Sequence, residues 1–325
     1  MPARTGGAGL LRDKQPICAI IAQICESTAN NPLNANMSFT AAMTPRDYIA
    51  GLAKGLQLLQ AFDHAHQRLN ATQAAQRAEL TRAAARRYLL TLHALGYLET
   101  DGRQFWLTPK VMQFSGNYLA SAQLPRVVQP HLDQLATHTG GAFSVVVPDG
   151  GEVVIVARSR TALVGAVQAL PVAVSPSSVD LHTRQAQHIR QIMTMAQGLH
   201  LGARLPMHAT STGQILMAYW PEAAVDNWLR VHPLTRLTPQ TITTPSALLE
   251  RLSQARAQHW VHAVDEHEWG VQAIAVPLQR ADGQVVAALN VVLASGANGA
   301  SPEPAITTRW LSWLHEAAAQ MRIVL

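Results

Sequence analysis

Cysteine is nearly missing from this chain. Cys18 and Cys25 are its two, which excludes a disulfide framework and a zinc site built on thiolates. Aromatic residues make up 5% and charged residues 14% of the 325, so the cores must be aliphatic and the helices rich in Ala. No uncharged apolar run reaches the roughly 18 residues that a membrane-spanning helix needs. The HExxH order of a zincin, a Gly-x-Ser-x-Gly elbow and a phosphate-binding loop are absent as well. One metal-like grouping, His259, His262 and His267 with Asp265, Glu266 and Glu268, fails on spacing. His259 and His262 lie three apart on a strand-like run, which points their side chains to opposite faces. Neither catalysis nor a bound cofactor is expected.

What the chain does have is apolar character, at 48%, enough to bury sizeable cores. At about 150 residues per domain its length suggests two domains. The net charge of +5 is modest but unevenly placed. Residues 44–110 carry nine Lys/Arg against five Asp/Glu, residues 1–43 carry three against two, and the remainder carries thirteen of each. A basic module joined to a neutral one points to an anionic macromolecular partner for the first part only.

Residues 1–43 show no coherent pattern. The apolar run at 17–24 is short, Asp13 interrupts the basic region a secretory signal needs, and Asn30, Asn31, Pro32, Asn34 and Asn36 follow as breakers. A poorly ordered tail is expected, and Met37 and Met43 leave room for a translation start further along. From Tyr48 the pattern becomes strong. Ile49, Leu52, Leu56, Leu59 and Phe62 recur at three- and four-residue spacings and predict the buried face of a helix entered at Thr44-Pro45. Thr72 is placed at the cap of a short Ala-rich helix reaching Arg77. After the turn Ala78-Glu79-Leu80, Thr81 caps a longer helix with Ala85, Tyr88, Leu89 and Leu92 on its buried face and Gly96 as its stop. Two short strand-like runs then flank Asp101-Gly102, a hairpin signal. Helix, helix-turn-helix and hairpin in this order predict a winged helix over 44–108.

A connector helix is expected over 109–124, opened by Thr108-Pro109. Residues 125–325 read as α+β. A helix at 125–139, strands at 142–147 and 152–157, helices near 210–220, 221–231 and 245–258, strands at 271–279 and 284–293 and a last helix at 302–322 suggest a mostly antiparallel sheet with helices packed on it.

In the basic module the helix opened by Thr81 is the candidate recognition element. Arg82, Ala83, Arg86 and Arg87 face away from its buried side. Arginines there reach guanine edges or phosphates, and Ala83 suits a thymine methyl. Thr72 and Thr81 stand at helix N-termini, where free N–H groups favour a phosphate. Arg103, beside the hairpin turn, suits the minor groove or the backbone. The competing reading is a solvated arginine face. A rival from another class is a small-molecule-binding module whose basic domain contacts RNA or protein.

These residues carry a family likeness. Tyr48-Ile49-Ala50-Gly51-Leu52-Ala53-Lys54-Gly55-Leu56 and Leu80-Thr81-Arg82-Ala83-Ala84-Ala85-Arg86-Arg87, continued by Leu92 through Gly96-Tyr97-Leu98, resemble IclR-type bacterial transcriptional regulators. They are closest to the PcaR/PobR/PcaU branch, which controls catabolism of aromatic acids through the β-ketoadipate route. Gly202-Ala203-Arg204-Leu205-Pro206-Met207-His208-Ala209-Thr210-Ser211-Thr212-Gly213 and Ala273-Ile274-Ala275-Val276-Pro277 resemble the family's two signature stretches. The resemblance runs from about Tyr48 to the C-terminus. It implies a winged helix-turn-helix, a linker helix and a GAF-like effector-binding domain. It also implies a cytoplasmic dimer or dimer of dimers on a double-stranded operator, and a small organic acid as effector. The sequence departs from the family pattern in three places: Glu79 stands where Gly is usual, extra residues fill about 160–187, and Gln214 replaces a commonly basic residue while 265–270 is one residue short.

The likeness also turns attention to donors set in an apolar wall. Arg158, closing a strand, is a candidate carboxylate partner or a surface strand-end arginine. His208, Thr210, Ser211 and Thr212 lead into a helix whose free N–H groups suit an anion, or serve as local caps. Asn290 interrupts an apolar strand as a pocket residue or a satisfied core amide.

Overall fold

The computed structural model describes residues 48–159, 199–294 and 304–325. The expected tail over 1–43, the cap at Thr44 and the insertion at 160–187 lie outside the described residues.

Helix α1 (Ala50–Gln60) opens behind Ile49 without a side-chain cap. Its expected buried face is corrected by the structure. Leu58, Ala61 and Phe62 enter the core, whereas Ile49, Leu52 and Leu56 are 68%, 61% and 51% exposed. One helix surface cannot face both ways, and the three- and four-residue spacing alone does not say what covers it.

The cap of α2 (Ala71–Arg77) is also corrected, from Thr72 to Asn70. The Asn70 side chain accepts from the Thr72 and Gln73 amides at 2.9 and 3.0 Å, and the Gln73 side chain accepts from the Asn70 amide at 3.0 Å. This reciprocal box satisfies donors that the helix end would leave unpaired. For α3 (Arg82–Ala94) the expected cap holds: Thr81 Oγ1 accepts from the Ala84 amide at 3.2 Å. Both helices end the same way. The Leu80 amide donates to the Ala75 carbonyl and the Tyr97 amide to the Leu92 carbonyl, each at 2.9 Å, across left-handed residues Glu79 (φ 50) and Gly96 (φ 79). That is the Schellman closure, which glycine adopts without cost.

Strands β1 (Leu98–Thr100) and β2 (Phe105–Leu107) pair antiparallel around Asp101-Gly102. A third segment joins them: Leu69 and Phe105 exchange both backbone hydrogen bonds at 3.0 and 2.9 Å. Ala74, Ala78, Ala85, Leu89, Leu92, Leu98 and Phe105 close the core of this winged helix. Beyond it, a single 3-10 turn (Pro109–Val111) leads into α4 (Met112–Ser121), and the expected connector breaks at Ala122. Helix α5 (Gln123–Thr139) therefore starts before Pro125, which sits in the first turn, where its missing N–H is not needed.

The second half is a six-stranded sheet, antiparallel at every pairing. Its strands are β3 (Ala142–Asp149), β4 (Glu152–Arg158), β5 (Arg204–Pro206), β6 (Val261–Val264), β7 (Val271–Gln279) and β8 (Val285–Ala294), in spatial order β5-β4-β3-β8-β7-β6. One face carries Phe143, Val145, Ile274, Val276, Leu289 and Val291, packed on Val128, Leu132 and Ala136 of α5 and on Leu314, Ala317 and Met321 of α9 (Pro304–Arg322). Helix α6 (Ser211–Ala218) packs on β7 and β8 and on α8 (Pro245–Gln258). Its buried residues stand apart from that core, which leaves α6 the sheet's other face. There the cross-strand neighbours are small: Ser144, Ala275 and Asn290 in one row, with Ala273 and Ala288 beside them. Within the separate unit Trp220–Pro233, helix α7 (Glu222–Val231) stacks Trp228 on His232 at 4.7 Å.

Glycine restored at the usual place should relieve the turn. Glu79→Gly is expected to stabilise the winged helix by about 1 kcal/mol, read as a higher midpoint in a thermal melt. A lower midpoint would show that the Glu79 side chain compensates for its backbone.

Candidate nucleic-acid interface and effector site

Helix α3 is divided cleanly by its periodicity. Ala85, Leu89 and Leu92 are buried, while Arg82, Ala83, Arg86 and Arg87 are exposed along the opposite side. Every arginine expected to read nucleic acid is thus free of the core. Arg77 is different: its guanidinium donates to the Ala61 carbonyl at 2.7 Å and to Asp63 at 2.5 Å, bracing α2 against the end of α1. Thr81 spends its hydroxyl on the cap, while Thr72 is exposed in the first turn of α2. Arg103 is exposed at the hairpin turn, which Asp101 fixes by accepting from the Arg103 and Gln104 amides at 2.9 and 2.7 Å. Those amide donors hold the Asp101 carboxyl below its ordinary value. The wing carries one further arginine that was not anticipated. Arg68 lies 4.2 Å over the Trp106 ring, an arrangement legible only once the third segment of the wing is seen.

The effector candidates divide by what satisfies them. Arg158 is part-buried and donates to the Leu199 carbonyl, and burial lowers its pKa. His208 is buried and donates from Nε2 to the Thr235 carbonyl at 3.0 Å. Thr210 caps α6: its hydroxyl donates to the Pro206 carbonyl at 2.9 Å and accepts from the Gly213 amide at 3.2 Å. Thr212 is buried in the same turn. Among the described residues three buried side-chain atoms have no partner: Trp228 Nε1, in the unit Trp220–Pro233, and one on each of two effector candidates. Ser211 Oγ, in a residue 1% exposed, and Asn290 Oδ1, in a residue 8% exposed, are buried without a hydrogen bond. A buried polar atom left unpaired costs about 1–3 kcal/mol, and these two lie on elements that pack together, α6 and β8.

Below this site lies a polar network absent from the residue-by-residue expectations. Gln214 is fully buried, and its amide donates to the His208 carbonyl at 2.8 Å and to Glu266 Oε2 at 2.6 Å. Arg251 from α8 reaches Glu266 Oε1 and the His262 carbonyl, each at 3.2 Å. Burial pushes the Glu266 carboxyl up, partly opposed by Arg251 and Gln214. The departure from the family pattern at Gln214 was the signal that pointed here. The histidines of the metal-like cluster go elsewhere: His259 meets Tyr219 Oη at 2.5 Å and His262 meets Gln272 at 2.9 Å. Among the described residues no three such side chains could hold a metal.

A helix-turn-helix bearing an arginine face, joined to a sheet with a buried polar site, defines a ligand-responsive DNA-binding regulator. Comparison with known proteins agrees. The IclR helix-turn-helix model matches residues 51–102, and the model for the C-terminal part of bacterial IclR transcriptional regulators matches residues 178–320. The chain is 42% identical over 284 residues to the Pca operon regulatory protein of Acinetobacter baylyi, covering 86% of this chain and 90% of that one. It is 46% identical over 244 residues to the p-hydroxybenzoate hydroxylase transcriptional activator of the same organism, covering 75% and 81%. An IclR homologue from Microbacterium hydrocarbonoxydans, solved in complex with 4-hydroxybenzoate, aligns with a TM-score of 0.59 at 25% identity, over 85% of this chain and 99% of its own. The chain belongs to the IclR family of bacterial transcriptional regulators. It is a DNA-binding transcriptional regulator and not an enzyme.

Arg86→Ala should weaken binding to the DNA upstream of the coding region and reduce the slope of log affinity against log salt by about one. Effector affinity should stay unchanged. Equal operator affinity for both proteins in a gel shift would remove Arg86 from the interface.

Proposed function

We propose that this regulator reads a pseudo-palindromic duplex operator as a dimer or dimer of dimers, and that a small aromatic carboxylate bound in the neutral half sets its output. In this reading residues 44–108 are the reader, 109–124 the connector and 125–325 the sensor, acting in the bacterial cytoplasm where the DNA lies. Among the described residues no helix is long and apolar enough to cross a membrane. Arg82, Ala83, Arg86 and Arg87 face the major groove, Arg103 approaches the minor groove or the backbone, and Thr72 and Thr81 lie toward phosphates.

The observation that carries the effector reading is the pair of unpaired buried oxygens, Ser211 Oγ and Asn290 Oδ1. Ser211 sits in the first turn of α6, where backbone N–H groups and the helix dipole favour a carboxylate. Ala273, Ala275 and Ala288 on the facing sheet are too small to fill the layer with their own side chains, which suits a flat ring. The named roles of the two Acinetobacter relatives and the 4-hydroxybenzoate in the Microbacterium homologue support an aromatic acid. Arg158, His208, Thr210, Thr212 and Asn290 line or shape this site in our reading. Thr210 and His208 do so through the backbone they hold.

The dimer reading rests on the exposed stripe of α1. Ile49, Leu52 and Leu56 are spaced as a helix-pairing seam and are more than half exposed, and burying each stabilises by about 1.5–3 kcal/mol. A second copy of the same stripe is their natural cover, because one recognition helix reads too few base pairs for specific binding.

Two outcomes test this. Leu52→Glu should shift the protein toward monomer in light scattering and lower operator affinity at least tenfold; a variant that remains dimeric would move the interface elsewhere. Ser211→Ala should weaken 4-hydroxybenzoate binding about tenfold, as expected for a hydrogen bond to a charged group, with effector-free operator binding intact. An unaltered calorimetric titration would take Ser211 out of the site.

A further inference from the structure

The second half encloses a buried carboxylate that neither the DNA-reading face nor the unpaired oxygens require. Glu266 is 4% exposed and is met on one oxygen by Gln214 and on the other by Arg251. The loop that carries it is pinned from every side. Thr238 Oγ1 donates to the Asp265 carbonyl at 2.5 Å and Thr241 Oγ1 to the Glu266 carbonyl at 2.6 Å. The Gly270 amide donates to Asp265 Oδ1 at 2.7 Å, and Asp265 itself is left-handed at φ 56. A buried ion pair is weak evidence of stabilisation, since apolar residues of similar size often serve as well. Its geometry offers a better account. The Gln214 amide is planar and presents its two hydrogens at a fixed angle, one to Glu266 and one to the His208 carbonyl. Fixing the carboxylate therefore fixes that carbonyl.

The His208 carbonyl lies in the loop between β5 and α6, and that loop has little freedom to be held any other way. A Cβ added at Gly213 would stand 2.2 Å from the Met207 carbonyl oxygen and 2.4 Å from its Cα. The loop thus rests directly on the first turn of α6, and a small displacement of His208 must move the Thr210 cap and Ser211.

We propose that Glu266, oriented by Arg251, is a positioning residue that sets the β5–α6 loop through Gln214 and so aims the Ser211 hydroxyl and the α6 N-terminal amides at the effector. This rests on the reading of that helix end as the effector site, and the test separates the two. Glu266→Gln and Gln214→Leu would each be compared with the parent full-length protein by amide hydrogen exchange without ligand, by calorimetry with 4-hydroxybenzoate, and by gel shift without effector. Glu266→Gln keeps the side-chain volume and removes a charge that burial disfavours, so the fold persists. Exchange over 207–214 should accelerate at least tenfold in both variants, while exchange in the winged helix stays at the parent rate. Binding of 4-hydroxybenzoate should weaken at least tenfold, and effector-free operator affinity should remain within twofold of the parent. Parental exchange over 207–214, or parental affinity for the acid despite faster exchange, overturns the positioning role. If the parent itself binds no 4-hydroxybenzoate, the effector reading is what fails. The exchange comparison then still decides whether Glu266 sets the loop.

Discussion

All eight residues of α6 are buried, yet Ser211, Thr212 and Gln214 among them are polar. Polar groups taken out of water must find partners, because each one left alone costs an appreciable fraction of a domain's stability margin. Much of the second half can be understood as an answer to this constraint. Thr210 caps the helix and returns its own hydrogen to Pro206. Gln214 calls for an acceptor, Glu266 supplies it, and a buried carboxylate in turn calls for Arg251 and a loop closed by Thr238 and Thr241. Gly213 follows from the same requirement, since the loop and the helix approach more closely than any side chain allows. What this chain of satisfaction does not reach, Ser211 Oγ and Asn290 Oδ1, is then informative by contrast.

The winged helix solves the opposite problem. Its core is built largely from Ala and Leu, so α2 and α3 pack closely, and its charged groups all stand outside. Arginines on α3 have no acidic neighbour in their helix, and three of the module's five acidic residues are spent locally: Asp63 on Arg77, Asp101 on the hairpin turn, Glu99 on the Trp106 indole. The positive excess of the described part of this module, residues 48–110, is therefore presented outward. The second half, by contrast, carries thirteen residues of each sign, and there Arg204 is met by Asp149 and Glu152 and Arg251 by Glu266.

Elements whose partner lies within a few residues were legible in the sequence. The Thr81 cap, the Asp101-Gly102 hairpin and the buried face of α3 all follow from local chemistry, and so did most helices and strands of the sheet half. The failures share a physical cause. Asn70 rather than Thr72 caps α2 because both are good caps, and only the reciprocal bond from Gln73 decides between them. Strand β5 is three residues ending in Pro206, too short to show alternation, and it exists because β4 offers it an edge. The Leu69 segment becomes a strand only through Phe105. Of the effector candidates the residues were nameable, but which were satisfied and which were not depended on contacts such as Thr235 with His208, distant in sequence. Spacing in the sequence groups Glu266 with metal-like histidines, whereas in the fold its partners are Gln214 and Arg251, distant in sequence.

The exposed seam of α1 and the buried end of α6 imply different scales of assembly for the two activities. A stripe whose apolar residues face solvent in the single chain is incomplete by itself, and in the dimer proposed above operator reading would depend on how the copies are arranged. The unpaired oxygens are enclosed within one chain, so effector recognition at the site proposed for them would be local to each copy. A ligand shifts an equilibrium only by binding its alternatives unequally. For an acid at the α6 end to change operator affinity, it must distinguish arrangements in which that end differs. The loop before α6 is the part of the site where a difference would be transmitted, because it belongs to β5 at one end and to the helix cap at the other. Anchoring it through a planar amide on a buried ion pair gives it one definite position for the ligand to meet.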